Sequence, residues 1–294
     1  MRRLCLCLAV LLAAPAVAQP ADTLTAEDGW RASLVGQLAA SQAAYSRWQE
    51  GGVDALALSA KADGLFDRVA GRVLLRQEAA FALALVKQDT LALRKADDLI
   101  RYAVQADLRN DGALHPSARF AARSQLAAGF DYSPAPDDYP TLPVAPGEPL
   151  QVSAFAAPAT FSQSLGVVYA PGGGLRARTG LALQETVVAL ERLRPVYGNA
   201  PGALVRVQAG VDAELGLERT LMENVRLQSR LFAFQAFNQV GDAAPDVRFE
   251  TTLTLTVNDL IDVTLDGAAL YDRDVTDRLQ LRESLAVGVS VSLL

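Results

Sequence analysis

Two stretches of this chain, residues 203–218 and 278–294, place apolar side chains at almost every odd position and polar residues or glycine at almost every even one. An extended strand turns successive side chains to opposite faces. Val205, Val207, Ala209, Val211, Ala213, Leu215 and Leu217 therefore share one surface, and Arg206, Gln208, Gly210, Asp212, Glu214, Gly216 and Glu218 share the other. A strand of that length, apolar on one face and polar on the other, divides a hydrocarbon medium from water, which is the pattern of a sheet that crosses a membrane. In lipid such a sheet has to close, because an open edge would leave a row of backbone N–H and C=O groups without partners.

Alternating segments bounded by turn residues predict about 12 strands, centred near Leu38, Leu58, Leu75, Tyr102, Leu126, Val167, Leu181, Val211, Leu231, Leu255, Leu265 and Val287. The expected fold is all-β, an antiparallel up-and-down transmembrane β-barrel. In residues 249–257 the apolar set is Phe249, Leu253, Leu255 and Val257. In residues 98–108 the phase reverses, and Ile100, Tyr102, Val104, Ala106 and Leu108 form it. Short connections (66–68, 171–174, 219–222, 258–260) alternate with longer ones (46–52, 87–93, 131–152, 192–202, 238–245, 272–277), and the link at 110–116 is long for its side. Barrels of the outer membrane carry short periplasmic turns and long outer loops, which puts the N-terminus in the periplasm. Residues 131–152, rich in proline, are assigned to the largest external loop. Trp30, Tyr45, Trp48, Phe66, Phe130, Tyr132, Tyr169, Phe237, Phe249 and Tyr271 fall near the expected strand ends, where an interfacial girdle would sit.

Arg2 and Arg3, an apolar run over residues 4–17 and the small residues Ala16 and Ala18 have the layout of a secretory signal peptide. The expectation is Sec export, cleavage after Ala18, and one barrel domain over residues 19–294 in the outer membrane. Cys5 and Cys7 would leave with the leader, so no thiol, disulfide or zinc site is expected in the mature chain. Loss of Arg2 and Arg3 takes the formal charge from −6 to about −8. The basic residues are dispersed, which argues against nucleic acid as a partner. No apolar run reaches the roughly 18 residues that a spanning helix needs.

Tyr45, Trp48 and Gly51-Gly52, the run Ser153-Ala154-Phe155-Ala156-Ala157-Pro158, Ser164-Leu165-Gly166 with Tyr169, Glu223-Asn224-Val225, Tyr271-Asp272, and Leu279-Gln280-Leu281-Arg282-Glu283 with Val287-Gly288-Val289 occur in the order that resembles an exported family catalogued as domain of unknown function 3078. The resemblance implies an outer-membrane-type barrel of Gram-negative bacteria, and it brings no activity, cofactor or catalytic residue. Gly288, Val291 and Leu293 keep a spacing that resembles the C-terminal signal read by the barrel-insertion machinery. Aliphatic side chains and an extra Leu294 stand where members of the family close with aromatics.

The polar face holds the candidate lumen charges: Arg72, Arg76, Glu78, Arg101, Arg123, Arg206, Asp212, Glu214, Arg226, Arg230, Arg248, Glu250 and Arg282. Lys95, Asp97, Asp107, Arg119, Arg176, Arg178, Asp262, Asp266 and Glu283 join them. Arginines interleaved with carboxylates are expected to pair across strands and fill the bore. Arginines left unpaired would instead make a constriction that favours anions. His115, the single histidine, is expected in an exposed turn beside Pro116 and Ser117, poorly placed for a catalytic triad. Asp137, Asp138, Asp272 and Asp274 are read as solvated loop carboxylates, without the spacing of a calcium-binding hand. Gly172-Gly173-Gly174 reads as a hairpin turn rather than a phosphate loop. The expectation is a non-enzymatic, cofactor-free barrel in contact with outer-membrane lipid, structural or surface-interacting. Its alternatives are a narrow passive channel for small anions and a soluble periplasmic sheet that binds a ligand.

Overall fold

In a computed structural model, residues 28–45, 53–237 and 244–292 are described. The expected leader (1–18), most of the links at 46–52 and 238–245, Trp48 and Leu293-Leu294 lie outside them. The side chain of Asp277 is likewise not described. The strands are β1 (Gly29–Ala43), β2 (Ala55–Ala70), β3 (Val73–Gln88), β4 (Arg94–Leu108), β5 (Leu114–Ser124), β6 (Gly129–Asp131), β7 (Leu150–Ser153), β8 (Ala159–Gly172), β9 (Leu175–Val187), β10 (Val205–Met222), β11 (Val225–Ala236), β12 (Asp246–Thr256), β13 (Ile261–Asp272) and β14 (Thr276–Ser292). Twelve of them close a barrel in the order β1-β14-β13-β12-β11-β10-β9-β8-β5-β4-β3-β2, every pair antiparallel. The other two, β6 and β7, form a small separate sheet in the link from β5 to β8.

Burial follows the alternation. Leu165, Leu181, Leu281 and Leu285 are more than 60% exposed on the outer wall, while Asp107, Gln105, Arg178, Asp212 and Gln208 are buried inside. This inverts the soluble pattern, in which apolar side chains fill the interior, and it makes the chain a membrane barrel. A sandwich with an internal apolar core, the soluble alternative, is overturned by the closed ring and its outward leucines.

Short links join β2–β3 (71–72), β8–β9 (173–174) and β10–β11 (223–224); those at 109–113 and 257–260 lie at the same end, as do the start of β1 and the end of β14. The long links share the opposite end. Two tight turns differ from expectation: residues 66–68 and 219–222 continue β2 and β10, and the chain reverses only at Gly71-Arg72 and Glu223-Asn224. At the short-turn rim the Arg68 guanidinium stacks 4.9 Å from the centre of the Trp30 ring on the outer wall, an arrangement suited to the headgroup region. Phe130 and Tyr132 are not part of any girdle; their rings pack 6.3 Å apart in the cap at the long-loop end.

Gly166 of β8 lies opposite Gly180 of β9, and the two backbones approach closely there. A Cβ at Gly180 would stand 2.6 Å from the Leu165 carbonyl oxygen, and one at Gly166 would strike the Thr179 carbonyl. Among the described residues, the seam that closes the ring pairs β1 with β14 from Val35↔Ser292 to Leu38↔Val289.

Candidate functional site: a braced lumen and its outer cap

Lumen charges meet across the bore as well as along the wall. Glu78 on β3 accepts a hydrogen bond of 2.8 Å from Arg230 on β11. Arg101 on β4 and Arg123 on β5 donate to the two oxygens of Glu250 on β12 at 3.1 and 2.9 Å. In the ring order β3 lies opposite β11, and β4 opposite β12. Twelve strands spaced about 4.8 Å apart and tilted about 40° would make a round barrel about 24 Å wide, further than an arginine and a glutamate reach together. The cross-section is therefore flattened at this level.

Further ion pairs fill the space around these two braces. Glu214 binds Arg230 at 3.2 Å and Arg119 at 3.5 Å. Toward the short-turn end, Arg178 donates to Asp212 at 2.8 Å and to the Ser164 hydroxyl at 2.6 Å. Arg176 donates to Asp107 at 2.7 Å, and Arg76 makes a two-pronged contact with Asp67, both bonds 2.9 Å. Lys61 pairs with Asp266, Arg282 with Asp97 and Arg206 with Asp274. Charges withdrawn from water are retained when each meets a partner and further hydrogen bonds, as the forked Arg76 contact illustrates.

Three charges expected in the bore are placed otherwise, and a fourth, Arg248, lies in it without a bonded partner among the described residues. Arg72 sits exposed in the β2–β3 turn, one residue past the end of the strand. Arg226 pairs with Glu218 at 3.7 Å in the watery mouth, both side chains more than half exposed. Glu283 has the parity of Leu281 and Leu285, so it lies on the outer wall. Arg248 lies on the inner face beside Glu250 but makes no hydrogen bond or ion pair among the described residues. His115 is not in an exposed turn: it is a buried residue of β5, and its Nδ1 accepts a hydrogen bond of 3.3 Å from the Asn110 backbone N–H.

Sequence reasoning missed Asp67, because the expected turn covered it; the odd-numbered polar positions Ser59, Lys61, Asp63 and Asp67 on β2 carried the signal. Asp274, read as a loop carboxylate, turns inward and reaches β10.

The long link from β5 to β8 is a folded cap. Lys95 of β4 donates to Gln125 Oε1 at 2.7 Å and to the Ala127 carbonyl at 2.9 Å. The Asp98 carboxylate accepts from the backbone N–H groups of Leu126 and Ala127. The Arg94 guanidinium lies 3.9 Å from the centre of the Tyr132 ring. Ala157, Val188 and Leu193 form a buried apolar cluster that joins this link to the one between β9 and β10. Tyr197 Oη donates to the Val152 carbonyl at 2.6 Å. Tyr139 donates to Asp131 at 3.0 Å, and burial together with that carboxylate pushes the Tyr139 phenol up to about 12. On the far side, Arg278 of β14 reaches Asp138 of the cap at 2.8 Å, so the link extends over the mouth.

Fold and lumen together define a closed, twelve-stranded membrane barrel of the outer-membrane type. The model of a family described as "Protein of unknown function (DUF3078)" matches residues 40–130, from the end of β1 to the first cap strand, and is the family that the sequence motifs resemble. Among solved structures, the COG4313 outer membrane channel from Pseudomonas putida F1 is similar at 10% identity and TM-score 0.41, over 94% of this chain and 99% of that one. The translocator domain of the autotransporter NalP from Neisseria meningitidis is similar at 13% identity and TM-score 0.36, over 90% and 89%. The β-domain of the Bordetella autotransporter BrkA is similar at 11% identity and TM-score 0.35, over 91% and 100%. No curated protein matches the sequence.

Proposed function

We propose that this is an outer-membrane barrel held shut by its own charges, with a structural or surface-interaction role exercised through the cap. The observation that carries the reading is the contact between Glu78 and Arg230 on opposed strands, which occupies the centre of the bore. Bridging of the lumen at a second place, with Glu250 taking two arginines, supports a bore closed to solutes. The buried His115 supports no catalytic role, and we assign none. Export by a leader cleaved after Ala18 and insertion through the C-terminal strand belong to the same proposal.

Planar-bilayer conductance tests it. The purified barrel is expected to be silent, and the double variant Glu78→Gln with Glu250→Gln, which loosens both braces, is expected to give discrete openings. Steady conductance from the unaltered protein would overturn the closed-lumen reading. A narrow anion passage is the second reading, favoured by Arg248, a lumen arginine without a bonded partner among the described residues. It requires openings in the unaltered protein whose anion preference falls in Arg248→Glu.

A further inference from the structure

The wall is notched where its first and last strands meet. Among the described residues no ladder pair joins 39–43 of β1 to 284–288 of β14, although both stretches are regular strand, held from behind by β2 and β13. Gly288 still touches β1, since a Cβ there would stand 2.7 Å from the Leu38 carbonyl oxygen; past it the ladder stops. Leu285 and Val287 are exposed on the outer wall beside the notch, so the two unpaired edges stand in the apolar band. Backbone N–H and C=O groups at that depth require partners that hydrocarbon does not supply.

A cavity lies on each side of the notch. The outer one is an apolar groove of about 640 Å³ lined by Leu58, Leu83, Leu85, Ile261, Val287 and Val289. The inner one is an enclosed polar recess of about 20 Å³, room for one water-sized group, lined by Gln37, Ser59, Lys61, Asp262 and Thr264. Ala39, Ser59 and Gly288 border both, so the partition between bore and lipid is built there from residues with almost no side chain. Lys61 is neutralised by Asp266, whereas Asp262 makes no hydrogen bond or ion pair among the described residues. The recess is therefore negative.

We infer that the notch binds a phosphoethanolamine lipid. Its ammonium enters the recess toward Asp262, its phosphate accepts hydrogen bonds from the unpaired N–H groups of the two edges, and its chain lies in the outer groove. Phosphate and backbone N–H form strong charge-assisted bonds, which supply what the edges lack. The recess has the wrong sign for an anionic head and is too small for a trimethylammonium. The site opens sideways to the membrane, and it goes beyond the closed-lumen reading without depending on it.

Two measurements on the folded barrel in detergent micelles test it. The expected mature chain, residues 19–294, holds no cysteine, so engineered pairs report alone. Leu38→Cys with Val289→Cys, within the paired run, is expected to oxidise readily to a disulfide. Gln42→Cys with Leu285→Cys, further along the same face, should oxidise at least about tenfold more slowly, because the bond needs Cβ atoms about 4 Å apart. Equal rates would show that the edges pair above Leu38 and would overturn the site. Lipid retention is read by native mass spectrometry after addition of lysophosphatidylethanolamine, lysophosphatidylcholine or lysophosphatidylglycerol. One ethanolamine lipid is expected to stay bound, at least about fivefold above the other two, the factor that one ion contact near water provides. Ala60→Phe, which fills the groove, is expected to abolish that retention, and Asp262→Asn to abolish the preference over the choline lipid. Equal retention of the three lipids would mean a general lipid coat and would overturn the assignment, as would an unaltered preference in Asp262→Asn. If the cysteine variants do not fold, lipid retention by the unaltered protein carries the decision.

Discussion

Among the described residues the Arg178–Asp212 pair is the most enclosed of the ion pairs, with both side chains 4% exposed and the Ser164 hydroxyl as a further partner of Arg178. Removing one member of such a pair strands the other charge in a medium that cannot solvate it, so Asp212→Asn is expected to cost about 3 to 5 kcal/mol. Glu218→Gln, at the exposed mouth, should cost under about 1 kcal/mol. Urea unfolding in lipid vesicles, followed by tryptophan fluorescence, checks both, and equal losses would show that enclosure does not set the scale. The sequence shows which face such residues occupy, because parity alone decides it. Partnership was not legible. Arg176 meets Asp107 and Arg282 meets Asp97, residues 69 and 185 positions apart, and their meeting depends on strand height and on the flattening of the ring. Arg282 and Glu283 show how fine the distinction is: adjacent in sequence, they face opposite media.

Strands inherit their limits from what happens beside them. The fifth strand was expected around Leu126, yet β5 stops at Ser124, because Lys95 and Asp98 capture the backbone of residues 126–127 and draw the chain out of the wall. No local pattern announces that capture, since its agents lie on a neighbouring strand. The facing glycines behave similarly: Gly166 and Gly180 read as ordinary gaps in an alternation until the register places them opposite each other. A side chain at Gly180 would press on the Leu165 carbonyl, so Gly180→Val is expected to reduce the yield of the heat-resistant, fast-migrating form on unboiled gels. Gly216→Ala, with its nearest neighbour 4.0 Å away, should assemble normally. Equal yields would mean that the two strands can part there without cost.

At the scale of the molecule, the outer wall fixes the surroundings and the braced bore fixes the cross-section. Leu181, two-thirds exposed and midway along β9, should meet the middle of the hydrocarbon layer. Leu181→Arg is expected to cost about 2 to 4 kcal/mol, and Thr254→Arg, on the lumen face, much less. Unfolding in vesicles measures both, and equal penalties would reverse the assignment of faces. The class of fold and the count of strands were legible because alternation is a local property repeated twelve times; the oval section was not, because it arises from contacts between opposite walls. Among the described residues the ring has one clasp, the run of four residue pairs between the first and last barrel strands, where other neighbours share eight or more. A hoop under tension parts at its shortest weld. Heating should release β1 from β14 first, turning the tube into a curled sheet still cross-tied by Glu78–Arg230 and Arg101–Glu250, so that breakdown runs inward from the two chain ends while the middle of the sequence is the last to let go.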